Sequence, residues 1–282
     1  MFFKRKSKTF VLLILLCLPV IALSGCGGST NNEENTSGET ELTGSITVVG
    51  STSVQPVSDL LAEAFMDENS KVNVYVQGGG SSAGIKAADD GAAEIGASSR
   101  DLKEDEKHLN EYVIAKDGIA VVVHPSSDVL NLTLEEIKDI YAGNITNWSE
   151  VGGSSESIVI VTREEGSGTR SAFEEIVMGK ESIAGKAIVQ NSTGAVATTV
   201  ANDKNAIGYI SLAALDEKVK ALKVEGAEAT SENIAAGTYK VARPYIYITK
   251  GDPSGLTKSF LDFVLSPQAQ SIVEQAGLIS VN

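Results

Sequence analysis

The chain has 282 residues, of which 42% are hydrophobic, and it carries 37 acidic against 23 basic residues, a formal net charge of −14. Four of the basic residues lie among the first eight, so the remainder is more acidic still, which argues against nucleic acid and against docking on anionic lipid by charge. With only Cys17 and Cys26 and two histidines, the chain offers no disulfide framework and no Cys/His metal spacing, and no cofactor is implied.

The N-terminus reads as an export signal over 1–25: "KRKSK" (4–8) is basic, "FVLLILLCLPVIAL" (10–23) is an apolar stretch too short for a comfortable membrane span, and small residues close it. The ending "LSGC" (23–26) resembles the lipobox of bacterial lipoproteins, which implies lipidation at Cys26. "GGSTNNEENTSGETELTG" (27–44) has almost nothing apolar to bury, so 26–44 is expected to be a flexible tether holding the remaining, roughly 240-residue, globular part off the membrane.

Beyond the tether, short β-branched runs alternate with helical stretches. Strands are expected over 45–50, 71–77, 94–99, 112–125, 157–163, 206–212 and 243–250. Helices are expected over 53–69, with Leu60, Leu61, Ala64 and Phe65 as its apolar face, over 81–91, over 133–143, after Gly168, and over 254–277 with a break near Pro267. Thr133 followed by Glu136 is a capping box, and Gly143 suits a helix end. This alternation indicates an α/β fold with a largely parallel or mixed sheet.

Three strand-to-helix junctions share one composition: "GSTS" (50–53), "GGGSS" (78–82) and "GSGT" (166–169). Glycine admits close backbone approach, the exposed N–H groups of a helix start carry partial positive charge, and Ser and Thr add hydroxyl donors. Any one of them would be an ordinary helix cap. Three together, with Arg163 just ahead of the last, point to capture of a small tetrahedral oxyanion at the carboxyl ends of the strands.

"GSTSVQPVSDLLAEAF" (50–65), "GGGSSAGIKAADDGAAEIGASSRDL" (78–102), "DGIAVVVHPSS" (117–127), "LTLEEIKDIYAGNITNWSEVGG" (132–153) and "TREEGSGTRSAF" (162–173) together resemble the phosphate-binding lipoproteins of bacterial phosphate ABC transporters. The resemblance implies a two-lobed, type II periplasmic-binding-protein fold with the ligand in the inter-lobe cleft. Lobe one would comprise 45–122 plus 245–282 and lobe two 123–244, with crossovers near Val121–Pro125 and Arg243–Tyr247. It also implies inorganic phosphate as ligand, ABC permease subunits as partner, a monomer, and a lipid-anchored place on the extracytoplasmic face of the cell membrane. Carried over by position, the phosphate ligands fall on Thr52, Ser53, Ser81 and Ser82, and on Arg163, Ser167, Gly168 and Thr169, with Glu165 holding the Arg163 fork. Arg163 is the one obvious cation, and its planar fork suits two oxygens at once.

Phosphate near neutral pH still carries a proton, and a buried carboxylate accepting it would disfavour sulfate. One branch of the family has an aspartate after "GAS", where this chain has Ser99, a further candidate donor. Asp117 is the substitute acceptor; its plain structural reading is a pairing with Arg100 or Lys116. Trp148 is expected to anchor its loop, Tyr75, Tyr245 and Tyr247 to pack in the core or between lobes, Arg170 to solvate its helix, and "NSTGAV" (191–196) to open a helix that faces the cleft or does not. Beside a surface-exposed interaction protein with incidental anion binding, two rival readings stay open. One is another tetrahedral oxyanion such as sulfate or molybdate. The other is a secreted hydrolase using Ser167 or Thr169, which lacks both a recognisable base and the GxSxG window.

Overall fold

Alternating aliphatic residues build β1 (Gly44–Gly50) and β2 (Val72–Gly78), which pair in parallel with Ile46 opposite Val74. Parallel pairing needs a crossover, supplied by α1 (Gln55–Glu68), with a proline in its first turn. Its buried face is Val57, Leu61, Ala62 and Phe65; Leu60, expected inside, is 45% exposed. The computed structural model describes residues 41–281, so the export signal, Cys26 and most of the tether lie outside the described residues.

Next come α2 (Ser81–Asp90), β3 (Ile95–Ser98) beside β1, and the long β4 (Asn110–Val123). The chain continues through β5 (Asn131–Leu132), α3 (Leu134–Ala142), β6 (Val159–Arg163) and α4 (Gly168–Phe173), which runs on into a π turn. There follow β7 (Ile188–Gln190), α5 (Thr193–Asn202), β8 (Ala206–Ser211), β9 (Lys220–Ala221), β10 (Lys223–Val224) and α6 (Ser231–Ala235). Last are β11 (Ala242–Thr249), α7 (Gly255–Val264) and α8 (Pro267–Gln275). Thr133 and Glu136 form the expected capping box, with Gly143 left-handed at φ +85°. The break near Pro267 is a fresh helix start, capped by Ser266 onto the Ala269 N–H.

The main sheet runs β2-β1-β3-β11-β4-β8-β6-β7, with β9 also on β4. β4 changes partner midway: Asn110 to Gly118 lie along β11, and Ile119 to Val123 along β8. Two lobes result. In one, Ile46, Val48, Phe65, Ile114, Tyr247, Phe260 and Val264 share a core. In the other, Ile119, Val121, Val123, Tyr141, Phe173 and Tyr209 fill one side of the sheet, while Ala120, Val122, Val161 and Val196 fill the opposite side. Cover on both faces is why "IAVVV" is continuously apolar rather than alternating. The change of core falls between Ala115 and Ile119 and again between Val241 and Tyr245, a little earlier in the chain than Val121–Pro125 and Arg243–Tyr247. Gly118, where β4 exchanges β11 for β8, sets the first of these points.

Trp148 is buried and donates its indole N–H to the Asn205 carbonyl, as an anchor should. Tyr75 does not pack inside: it lies on the edge strand β2 and is 54% exposed. No helix among the described residues is long and apolar enough to cross a membrane.

Candidate anion-binding site

Arg163 ends β6 and is buried. Its Nε and Nη2 donate to the two oxygens of Glu164, both at 2.8 Å, a fork-to-fork pairing. Nη1 donates to Thr193 Oγ1 and Nη2 to Thr52 Oγ1, each at 3.2 Å. The backbone is held as well: the Arg163 N–H donates to the Tyr209 hydroxyl at 3.3 Å, and Tyr209 stacks on Phe173 with centroids 4.1 Å apart. Burial pushes the Tyr209 phenol up to about 12, so it stays protonated. Glu164, not the expected Glu165, orients the guanidinium. The Glu164 N–H is still tied to the Gln190 carbonyl of β7, which keeps its side chain alongside Arg163, whereas Glu165 falls on the exposed outside of the turn. Arg170 folds back to donate to the Arg163 carbonyl at 3.1 Å and to Glu174 at 2.8 Å instead of simply solvating its helix.

The three hydroxyl-rich junctions meet here. Ser51 Oγ lies 2.9 Å from Ser53 Oγ and 2.8 Å from Ser99 Oγ, and the Ser99 N–H donates to Ser81 Oγ at 3.1 Å. Bonds then cross between lobes: the Ser82 N–H donates to the Gly166 carbonyl at 3.0 Å, Thr169 Oγ1 to Ser53 Oγ at 3.5 Å, and the Thr193 N–H to Thr52 Oγ1 at 3.3 Å. Gly168 faces lobe one so closely that a Cβ there would sit 2.2 Å from Ser81 Oγ and 2.6 Å from Ser99 Oγ. Ser167 caps α4 by accepting from the Arg170 N–H at 3.3 Å. The starts of α2, α4 and α5 thus open on one enclosed patch of hydroxyls. Thr52, Ser53, Ser81, Ser82, Ser99, Arg163, Ser167, Gly168 and Thr169 are all brought together.

Asp117 stands behind that patch. Its Oδ2 accepts from Arg243 Nε (3.2 Å), Arg243 Nη2 (3.0 Å) and the Tyr245 hydroxyl (2.8 Å), and its Oδ1 accepts from Ser211 Oγ (2.9 Å). Burial pushes its carboxyl up, with Arg243 and these hydrogen bonds pulling the other way. Neither Arg100 nor Lys116 is its partner. Arg100 instead makes a two-point pair with Glu106 at 2.7 and 2.8 Å, and its Nη2 lies 3.5 Å from Ser82 Oγ. Oδ2 of Asp117 thus takes three donors, while Oδ1 takes Ser211 alone.

Tyr245 and Tyr247 pack in the core as expected, but sequence reasoning gave no site role to Ser51, Thr193, Ser211 or Arg243. Two carried a readable signal: "NSTGAV" is a fourth Ser-Thr-Gly helix start, and Arg243 is a charge inside an otherwise apolar strand. Among the described residues no group of His, Cys, Asp and Glu is arranged to hold a metal ion; His108 bonds Asp89 at 3.1 Å and His124 lies 2.8 Å from Ser126 Oγ.

A family model described as a PBP superfamily domain matches residues 35–268. The Phosphate-binding protein PstS of Bacillus subtilis is 35% identical over 288 residues, covering 98% of this chain and 95% of the relative. The chain belongs to the Pst-type phosphate-binding family of that superfamily. Among solved structures, a putative phosphate ABC transporter substrate-binding protein with bound phosphate from Clostridium perfringens is 46% identical with a TM-score of 0.83, over 85% of this chain and all of that one. An ABC-type phosphate transport receptor from Vibrio cholerae is 40% identical with a TM-score of 0.71, over 84% of this chain and all of that one. The family's two-lobed fold therefore accounts for the two cores, the strands shared between them, and the cleft in which the hydroxyl patch lies.

Proposed function

We propose that this protein captures inorganic phosphate outside the cytoplasm and delivers it to an ABC permease, with Thr52, Ser53, Ser81, Ser82 and Ser99 of one lobe and Arg163, Ser167, Gly168, Thr169 and Thr193 of the other as donors. The observation that carries this reading is the ring of hydroxyls, most of them buried, that meets Arg163 from both lobes. Hydrogen bonds to a charged group contribute roughly 1.5–3 kcal/mol each, so such a ring holds a dianion without an overall positive field. That matters in a chain of net charge −14. Phosphate bridging both lobes favours the closed state by its differential affinity, and the permease cycle reopens it. We place the hinge at Asp117–Ile119 and Val241–Arg243, anchor the protein by a lipid on Cys26, and take it as a monomer.

The role is binding, not catalysis. Ser167 Oγ accepts from the Arg170 N–H in capping α4, and among the described residues neither histidine bonds to it. Calorimetric titration of the tag-free protein, without its export signal, with phosphate and with sulfate tests the reading. One equivalent of phosphate bound at micromolar affinity or tighter supports it; absence of phosphate heat, or sulfate bound as tightly, overturns it.

A further inference from the structure

The second buried ion pair stands behind the ring described above and was given no role in it. β4 and β11 are the strands that pass between the lobes, and Asp117 and Arg243 face each other directly across them, beside the Gly118–Ala242 pair. Both side chains are almost wholly buried, at 0% and 1% exposure. A buried pair is commonly no more stabilising than apolar residues of the same volume, so its contacts point to a use.

On one side the cluster touches the anion loops. Arg243 Nη2 donates to Ser53 Oγ at 3.2 Å, Nη1 lies 3.5 Å from the Ser99 carbonyl, and the Tyr245 hydroxyl lies 3.0 Å from the Ser53 carbonyl. On the other side it touches lobe two: Ser211, the last residue of β8, donates to Asp117 and lies 2.8 Å from the Tyr245 hydroxyl. A serine oxygen that already accepts from a guanidinium has its own hydrogen left to give, and the partners in reach are Ser51 Oγ at 2.9 Å or a bound anion. Arg243 thereby sets Ser53 as a donor. The Ser211–Asp117 bond spans the pivot. A hydroxyl about 5 Å from a pivot moves about 2 Å in a rotation of about 25°, enough to leave hydrogen-bond range.

We infer that Arg243 is a positioning residue for the phosphate site: Asp117, steadied by Ser211 when the lobes close, holds the Arg243 guanidinium on Ser53 and fixes that hydroxyl as a donor to the anion. Closure itself then completes the donor set. The inference rests on the phosphate reading of the ring.

The experiment is a double-mutant cycle on phosphate affinity, read by calorimetry. Arg243→Lys keeps the charge but lacks the planar fork that reaches Asp117 and Ser53 together. It is expected to weaken phosphate binding about tenfold to thirtyfold in the parent and less than about threefold in a Ser53→Ala background. An unchanged affinity, or an equal loss in both backgrounds, overturns the inference, because a merely structural arginine would be indifferent to Ser53. Ser211→Ala supplies a second arm if Arg243→Lys does not fold. It is expected to weaken phosphate binding about threefold or more, and parental affinity in that variant overturns the coupling to closure. A parent protein that takes up no phosphate would overturn the reading of the ring itself, which the variants alone would not do.

Discussion

Arg163 and Arg243 are both buried arginines gripped by a carboxylate, yet the two pairs are built in opposite ways. Glu164 is the next residue along the chain from Arg163 and keeps 27% of its side chain in solvent; Asp117 lies across a strand pair from Arg243 and keeps none. Arg163 has two nitrogens turned toward Thr52 and Thr193, so its charge is presented to whatever the hydroxyls enclose. Asp117 accepts from three different side chains, which makes that pair a joint between strands rather than a presented charge. A carboxylate left partly wet keeps some of its water, while a dry one must have every donor in place.

The largest expected effect tests the dry pair. Asp117→Ala leaves a buried guanidinium uncompensated and is expected to cost about 3–5 kcal/mol of unfolding free energy in urea titration. Gly168→Ala probes the wall opposite Ser81 and Ser99. With no room for a Cβ against them the cleft cannot close as it does here, and phosphate affinity is expected to fall roughly a hundredfold with little change in stability. Glu164→Gln should show the reverse of Asp117→Ala: a stability change within about 1 kcal/mol, but phosphate binding about tenfold weaker because Arg163 loses its orienting fork. If Glu164→Gln costs as much stability as Asp117→Ala, the contrast between the pairs is broken.

Arg100–Glu106 lies between the two, with side chains 5% and 18% exposed. The hydrogen bond from Arg100 holds the Glu106 carboxyl below its usual 4.5, against an opposing push from burial. A carboxyl lowered in this way adds stability above about pH 4.5, and that contribution is lost as pH falls through its folded value. The difference in melting temperature between parent and Glu106→Gln should therefore be flat from neutral pH to mildly acid and shrink as pH falls below about 4.5. A difference that grows with acidity would reverse the assigned sign. This is the smallest effect, because the pair is partly solvated.

The regular elements were legible because each rests on local chemistry. Thr133, Glu136 and Gly143 mark both ends of one helix within eleven residues, and β1, β4 and β11 announce themselves by β-branched and aromatic runs. The anion loops were legible for the same reason, since helix starts rich in glycine and hydroxyl residues recur at three junctions. What escaped depends on register and on turn geometry. Asp117 and Arg243 are 126 positions apart and meet only because β4 and β11 align them, and no local pattern encodes that alignment. The choice of Glu164 over Glu165 turns on a single backbone bond to Gln190. Leu60 and Tyr75, apolar or aromatic by type, lie outward because a helix face and an edge strand leave them there.

The sharing of one core between distant parts of the chain bears on how the protein comes into being. Phe65 packs against Phe260 with centroids 5.2 Å apart, and Val264 and Val273 seal the same interior, whereas Tyr141, Trp148, Phe173 and Tyr209 of the other interior come from one unbroken stretch. For a chain delivered N-terminus first, the second lobe has all its fully buried core residues, the last being Val241, before the first lobe has its last two helices; only Ile279 joins its edge later. Until then β3 lacks its β11 neighbour, and the apolar face around Phe65 lacks the cover of Phe260 and Val264, a stage exposed to aggregation during biogenesis.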